Sequence, residues 1–139
     1  MTLLLLAVSA SAQRNLNCYP VFQGKVVPVK QMVVTEVRGS SMAAYKLDYY
    51  RGVSFQADEP LTLRVAALVE ADADEAAVKE TEKVDGLLTY ALVQPAPSGK
   101  MNRYLCYQAR KIEDKWKVTL LYLEGAATLD DLKNMFEKQ

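Results

Sequence analysis

Tyr45-Lys46-Leu47-Asp48-Tyr49-Tyr50-Arg51-Gly52-Val53-Ser54-Phe55 alternates almost without a break. The odd positions carry Tyr45, Leu47, Tyr49, Val53 and Phe55, and the even ones Lys46, Asp48, Tyr50, Gly52 and Ser54. A period of two sends successive side chains to opposite faces, so this stretch reads as a strand with one apolar face. Such a strand needs neighbours to pair with and a layer to cover that face. Arg51 intrudes on the apolar side, and Gly52 next to it offers a place for a bulge that re-aims the side chain.

Upstream, the β-branched run Met32-Val33-Val34-Thr35-Glu36-Val37-Arg38 closes at Gly39 and predicts a first strand. Residues 39–44 read as a turn or one helical turn capped by a serine. Residues 13–31, punctuated by Pro20, Gly24 and Pro28, read as an irregular arm leading into the domain, with a short strand or helical turn at Val21-Phe22. Downstream, Asp58-Glu59-Pro60 opens a helix, because acidic residues and proline suit a first helical turn. Leu61, Val65, Leu68, Val69, Ala73 and Ala76 follow at helical spacing and predict a helix running to about Lys83. Strands are then expected over 86–94, 102–111 and 116–124. A short amphipathic helix over 128–136 has Thr128 as its cap. The order β-β-α-β-β-β-α predicts the α+β class. The expected architecture is a two-layer sandwich, a mostly antiparallel sheet of about five strands with two helices on one face. One domain is expected, spanning residues 32–139.

The start of the chain is unlike the rest. Leu3-Leu4-Leu5-Leu6-Ala7-Val8 is an apolar run, and Ala10 and Ala12 stand as a small-residue cleavage site before Gln13. Residues 1–12 therefore read as a secretory signal peptide, with its basic start expected upstream of Met1. The run falls far short of the roughly 20 apolar residues of a membrane-spanning helix. The mature protein is expected to be periplasmic or extracellular and soluble. A lipid-carrying Cys18 fits less well, because Asn15-Leu16-Asn17 rather than a small residue precede it.

Lys plus Arg and Asp plus Glu both total 17, so there is no net charge and no basic excess to draw nucleic acid. The chain has no histidine, which removes Ser-His-Asp and Cys-His catalysis and most transition-metal sites. No phosphate-binding glycine loop or nucleophile elbow occurs. No catalytic residue, metal site or cofactor is therefore expected. Glu70, Asp72, Asp74 and Glu75 cluster, but Ala76 and Ala77 stand where a calcium loop needs oxygen and glycine, so the cluster reads as a solvated helix face.

Three other features remain open. Cys18 and Cys106 either form one bridge or are separate thiols, Cys106 as a small core residue. Arg51 and Glu124 both fall on apolar strand faces near a sheet end. Either they meet in a buried polar pair or their glycine neighbours let both turn to water. Tyr50 lies opposite the apolar face of its strand and is the candidate exposed aromatic.

Val37-Arg38-Gly39, Tyr45-Lys46-Leu47, Tyr50-Arg51-Gly52-Val53, Asn102-Arg103-Tyr104-Leu105 and Tyr122-Leu123-Glu124-Gly125, leading into Thr128-Leu129-Asp130-Asp131-Leu132, resemble a group of small exported Bacteroidetes proteins of unknown function. The resemblance implies export and an α+β domain but carries no activity. The expected function is a non-enzymatic module outside the cytoplasm that binds a protein, an envelope component or a small ligand through its open sheet face. The alternatives are a carboxylate-dependent enzyme acting on a glycan or envelope component, and an accessory subunit of a membrane or envelope complex.

Overall fold

In the computed structural model, residues 16–97 and 99–137 are described, and the expected leader lies outside them. Strand β1 (Met32–Arg38) pairs antiparallel with β2 (Leu47–Ala57) around a 3₁₀ turn at Gly39–Tyr45. A short helix α1 (Tyr19–Phe22) precedes them, and helix α2 (Glu59–Asp74) follows. Then come β3 (Val78–Val84), β4 (Leu87–Gln94), β5 (Asn102–Ile112), β6 (Lys115–Gly125) and helix α3 (Leu129–Glu137). The strands form one six-stranded sheet in the order β1-β2-β6-β5-β4-β3, with every neighbouring pair antiparallel. α2 thus carries the chain from one half of the sheet to its far edge, and the meander β3 to β6 returns to close on β2.

The α+β class and the antiparallel sheet agree with the sequence reading, but three details differ. The sheet has six strands, because α2 stops at Asp74 with Glu75 as its cap rather than running to Lys83. Beyond it, Lys79-Glu80-Thr81-Glu82-Lys83 offers no apolar stripe for a helix to bury. Asp85 and Gly86 both adopt positive φ, 52° and 82°, which is the two-residue turn that joins strands of a tight hairpin. The second difference is that the two helices lie on opposite faces of the sheet. Val65, Ala66, Val69 and Ala73 of α2 share one core with Val53, Phe55, Leu105, Tyr107, Leu120 and Tyr122. Leu132 of α3 packs instead with Tyr104 and Leu123, their alternate neighbours. The third concerns Leu47, expected on the same face as Tyr49. A register irregularity between Leu47 and Tyr49 throws Leu47 across to the α3 side.

The arm before β1 is part of the core. Leu16, Cys18, Val21, Phe22 and Val27 are buried on the α2 side. The carboxylate of Asp72 holds this arm in place. It is only 4% exposed and accepts the backbone N–H of Asn17 at 2.6 Å and of Cys18 at 3.0 Å. Asp72 thus leaves the solvated acidic cluster in which the sequence placed it, whereas Asp74 and Glu75 remain exposed. Removing an acceptor from a buried donor costs about 1–3 kcal/mol. Asp72→Ala is therefore expected to lower the unfolding free energy by about 3 kcal/mol, and Glu70→Ala, at a partly exposed ion pair, by less than about 1 kcal/mol, in urea titrations.

Candidate binding face

The candidate site is on the sheet face that α3 only half covers. α3 is fastened at its start, where Thr128 and Asp131 bond reciprocally: the Thr128 N–H donates to Asp131 Oδ2 at 2.9 Å, and the Asp131 N–H donates to Thr128 Oγ1 at 3.2 Å. Those bonds hold the half-buried Asp131 carboxyl below its ordinary range. The Tyr104 hydroxyl donates to the Ala127 carbonyl at 2.6 Å, and Lys133 Nζ reaches Glu80 Oε1 at 2.6 Å across the sheet. Helix and sheet therefore close over Leu47, Tyr104 and Leu123 but stop there.

Beyond the helix the register lays out two rows of side chains. Ser54, Thr119, Gln108 and Tyr90 stand side by side across β2, β6, β5 and β4. Next to them run Gly52, Leu121, Cys106 and Leu92. Tyr90, Cys106, Tyr107, Gln108, Thr119 and Leu121 line an open depression of about 340 Å³. Such a volume falls within the range of small-ligand sites. Its floor is apolar, and a phenol, a carboxamide and a hydroxyl supply a few hydrogen-bonding groups. Gly52 keeps its rim clear: a Cβ there would come within 2.8 Å of Leu121 Cδ2 and 3.1 Å of the Tyr50 hydroxyl. Tyr50 is half-buried and packs against the α3-side core, so it is not a free aromatic. Burial pushes the Cys106 thiol up to about 12, which keeps it neutral and a poor nucleophile.

The other sequence candidates have different fates. Cys18 and Cys106 are both free thiols and sit in cores on opposite sides of the sheet, so no bridge joins them. Cys18 is completely buried and its N–H is held by Asp72, which is no place for an acyl chain. Arg51 and Glu124 share the α2 face but stand one pair apart, Arg51 opposite Tyr122 and Glu124 opposite Tyr49. Each has its own company. Arg51 Nη2 donates to the Phe22 carbonyl at 2.9 Å and Nη1 lies 4.0 Å from Glu36 Oε2, while Glu36 accepts the Tyr49 hydroxyl at 2.7 Å. Arg38 stacks over the Tyr49 ring at 4.5 Å. Glu124, only 3% exposed, accepts the Tyr122 hydroxyl at 2.6 Å, and Arg103 stands opposite it and donates Nε to the Ala96 carbonyl at 2.8 Å. Gly52 makes no bulge and Arg51 points inward. Burial, and then the bond to Glu36, push the Tyr49 phenol up to about 12; burial and Glu124 push Tyr122 further. The Tyr49 and Tyr122 rings, with centroids 6.1 Å apart, lie between the two groups.

Among the described residues, no three His, Cys, Asp or Glu side chains gather to hold a metal, and no helix is long and apolar enough to cross a membrane. The model of a family described as a family of unknown function (DUF6108) matches residues 5–136. The chain belongs to that family. No curated protein and no solved structure matches it. The matched span includes every strand and all but the last residue of α3, so both the sheet face and the two polar groups belong to the DUF6108 domain.

The two polar groups have separable energetics. Tyr122→Phe and Glu124→Gln are expected to couple by more than about 0.5 kcal/mol in a double-mutant cycle, as members of one buried network do. Arg51→Met and Glu124→Gln are expected to add within about 0.5 kcal/mol in the same denaturation measurement.

Proposed function

We propose that this DUF6108 protein is an exported, non-enzymatic binding module, which holds a small and largely apolar ligand on its open sheet face outside the cytoplasm. The observation that carries the reading is the depression of about 340 Å³ whose apolar floor is flanked by Tyr90, Gln108 and Thr119. An apolar cleft with a few convergent polar groups suits a ligand that is bound by burial and oriented by hydrogen bonds.

The apolar run 3–8 with Ala10 and Ala12 supports export, as does the resemblance to small exported Bacteroidetes proteins. The carboxylate-enzyme alternative finds less support. The buried carboxylates Asp72 and Glu124 each serve internal donors, and neither lines the depression.

The test uses anilinonaphthalene sulfonate as a probe for the apolar cleft. Saturable one-site binding is expected, weakened by about tenfold or more in both Leu121→Arg and Gln108→Trp, the second at an exposed position that leaves the core intact. Binding that is non-saturable, or indifferent to both substitutions, would overturn the assignment. Amino-terminal sequencing of the protein secreted by its host, expected to begin at Gln13, tests the export part separately.

A further inference from the structure

The two edges of the sheet are built differently. β3, at one edge, reads Val78-Lys79-Glu80-Thr81-Glu82-Lys83-Val84 and is exposed throughout. Its interior is a run of both charge signs, which is how edge strands are kept from pairing with other chains. β1, at the other edge, reads Met32-Val33-Val34-Thr35-Glu36-Val37-Arg38 and has no lysine or proline. Val33 is 70% exposed and Val34 42%. Val29 just before the strand and Tyr45 at its far end add two more exposed large apolar side chains. Among the described residues nothing pairs with the outer edge of β1.

We propose that this edge is a self-association surface, on which β1 pairs antiparallel with β1 of a second copy about a two-fold axis through Thr35. This interface is independent of the binding face, which lies on β4 to β6. Three observations favour a second copy as the occupant. The first is self-complementarity. The axis at Thr35 uses all seven residues of the strand and sets Val33 against Val37, Val34 against Glu36, Met32 against Arg38 and Thr35 against itself. Val–Val and Thr–Thr are favourable cross-strand pairs, and no like charges stand directly opposite. The second is charge: with 17 cationic and 17 anionic side chains the protein has no net repulsion against its own copy and no excess charge to draw another partner. The third is geometry. A two-fold axis normal to the sheet keeps the faces in register, so the two six-stranded sheets become one and both α2 helices lie on the same side.

A seven-residue edge extends roughly 24 Å, and pairing along it gives an interface at the small end of the stable range. The dimer is therefore concentration-dependent. Sedimentation equilibrium of the purified protein from micromolar to millimolar concentration is expected to show a monomer–dimer equilibrium. Val33→Lys, at a side chain that is already mostly in solvent, is expected to raise the dissociation constant by about tenfold or more. Thr81→Lys on the opposite edge is expected to change it by less than about twofold. Thr35→Cys in a Cys106→Ser background is expected to form a disulfide-linked dimer under mild oxidation, because the axis brings the two Cβ atoms together. A monomer at every concentration, or equal effects of Val33→Lys and Thr81→Lys, would overturn the proposal. Loss of ligand-probe binding with the dimer intact would count against the binding face alone.

Discussion

The pairing of β2 with β6 joins the molecule. The β1–β2 hairpin and the meander β3 to β6 are each local structures, made of neighbours in sequence, and among the described strands this seam is the pairing that joins them. Loop closure across α2 and three strands costs entropy before any contact is made, so the seam must repay it with dense packing. It does so on both faces. Val53, Phe55, Leu120 and Tyr122 are buried towards α2, and Leu47 and Leu123 towards α3. Gly125 is required where the seam begins: a Cβ there would stand 2.7 Å from the Leu47 Cα and the Lys46 carbonyl oxygen. The irregularity between Leu47 and Tyr49 occurs at the same end, and it lets one strand feed both cores.

The candidate binding face follows from that seam. Thr119 and Leu121 of its lining come from β6, the strand that the seam holds, and Tyr90, Cys106 and Gln108 come from β4 and β5. The depression is left open because α3 is short. It is anchored by Thr128, Asp131 and the Tyr104–Ala127 bond at one end of the face, and it reaches the far strand only through Lys133. The opposite face is packed under α2 and under the arm held by Asp72. The two polar groups there have separate partners: Arg51 has the Phe22 carbonyl, with its buried Nε unbonded among the described residues, and Glu124 has Tyr122.

Much of the fold was legible from alternation, because a half-buried antiparallel strand must alternate to bury one face. The strands 86–94, 102–111 and 116–124 were placed within a residue or two of their observed ends, and both long helices began where their caps stand. Helix spacing persists to Ala76 and so hides the end of α2, although Lys79–Lys83 carries no apolar stripe. The Asp85-Gly86 pair that follows is itself a strong hairpin signal. The placement of helices on opposite faces was not legible, because an amphipathic pattern shows that a stripe is buried but not on which side of a sheet. Arg51 and Glu124 stand out in the sequence as charges on apolar strand faces, which leaves open whether they pair or turn to water. Their actual partners, a main-chain carbonyl of the arm and a tyrosine two residues away, leave no trace in a pattern of apolar positions. The lining residues Tyr90, Gln108, Thr119 and Leu121 were in view as the other half of each alternation, but only the register brings them together.

Native-state hydrogen exchange tests the seam most directly. If β2 and β6 are the joint on which both cores depend, the amides they share, around Val53 and Leu120, exchange only through global unfolding and with the same free energy, while β3 opens more easily. Amides of the β1–β2 hairpin exchanging well before those of β5 and β6 would contradict it, since the hairpin would then come away from a meander that stays folded alone.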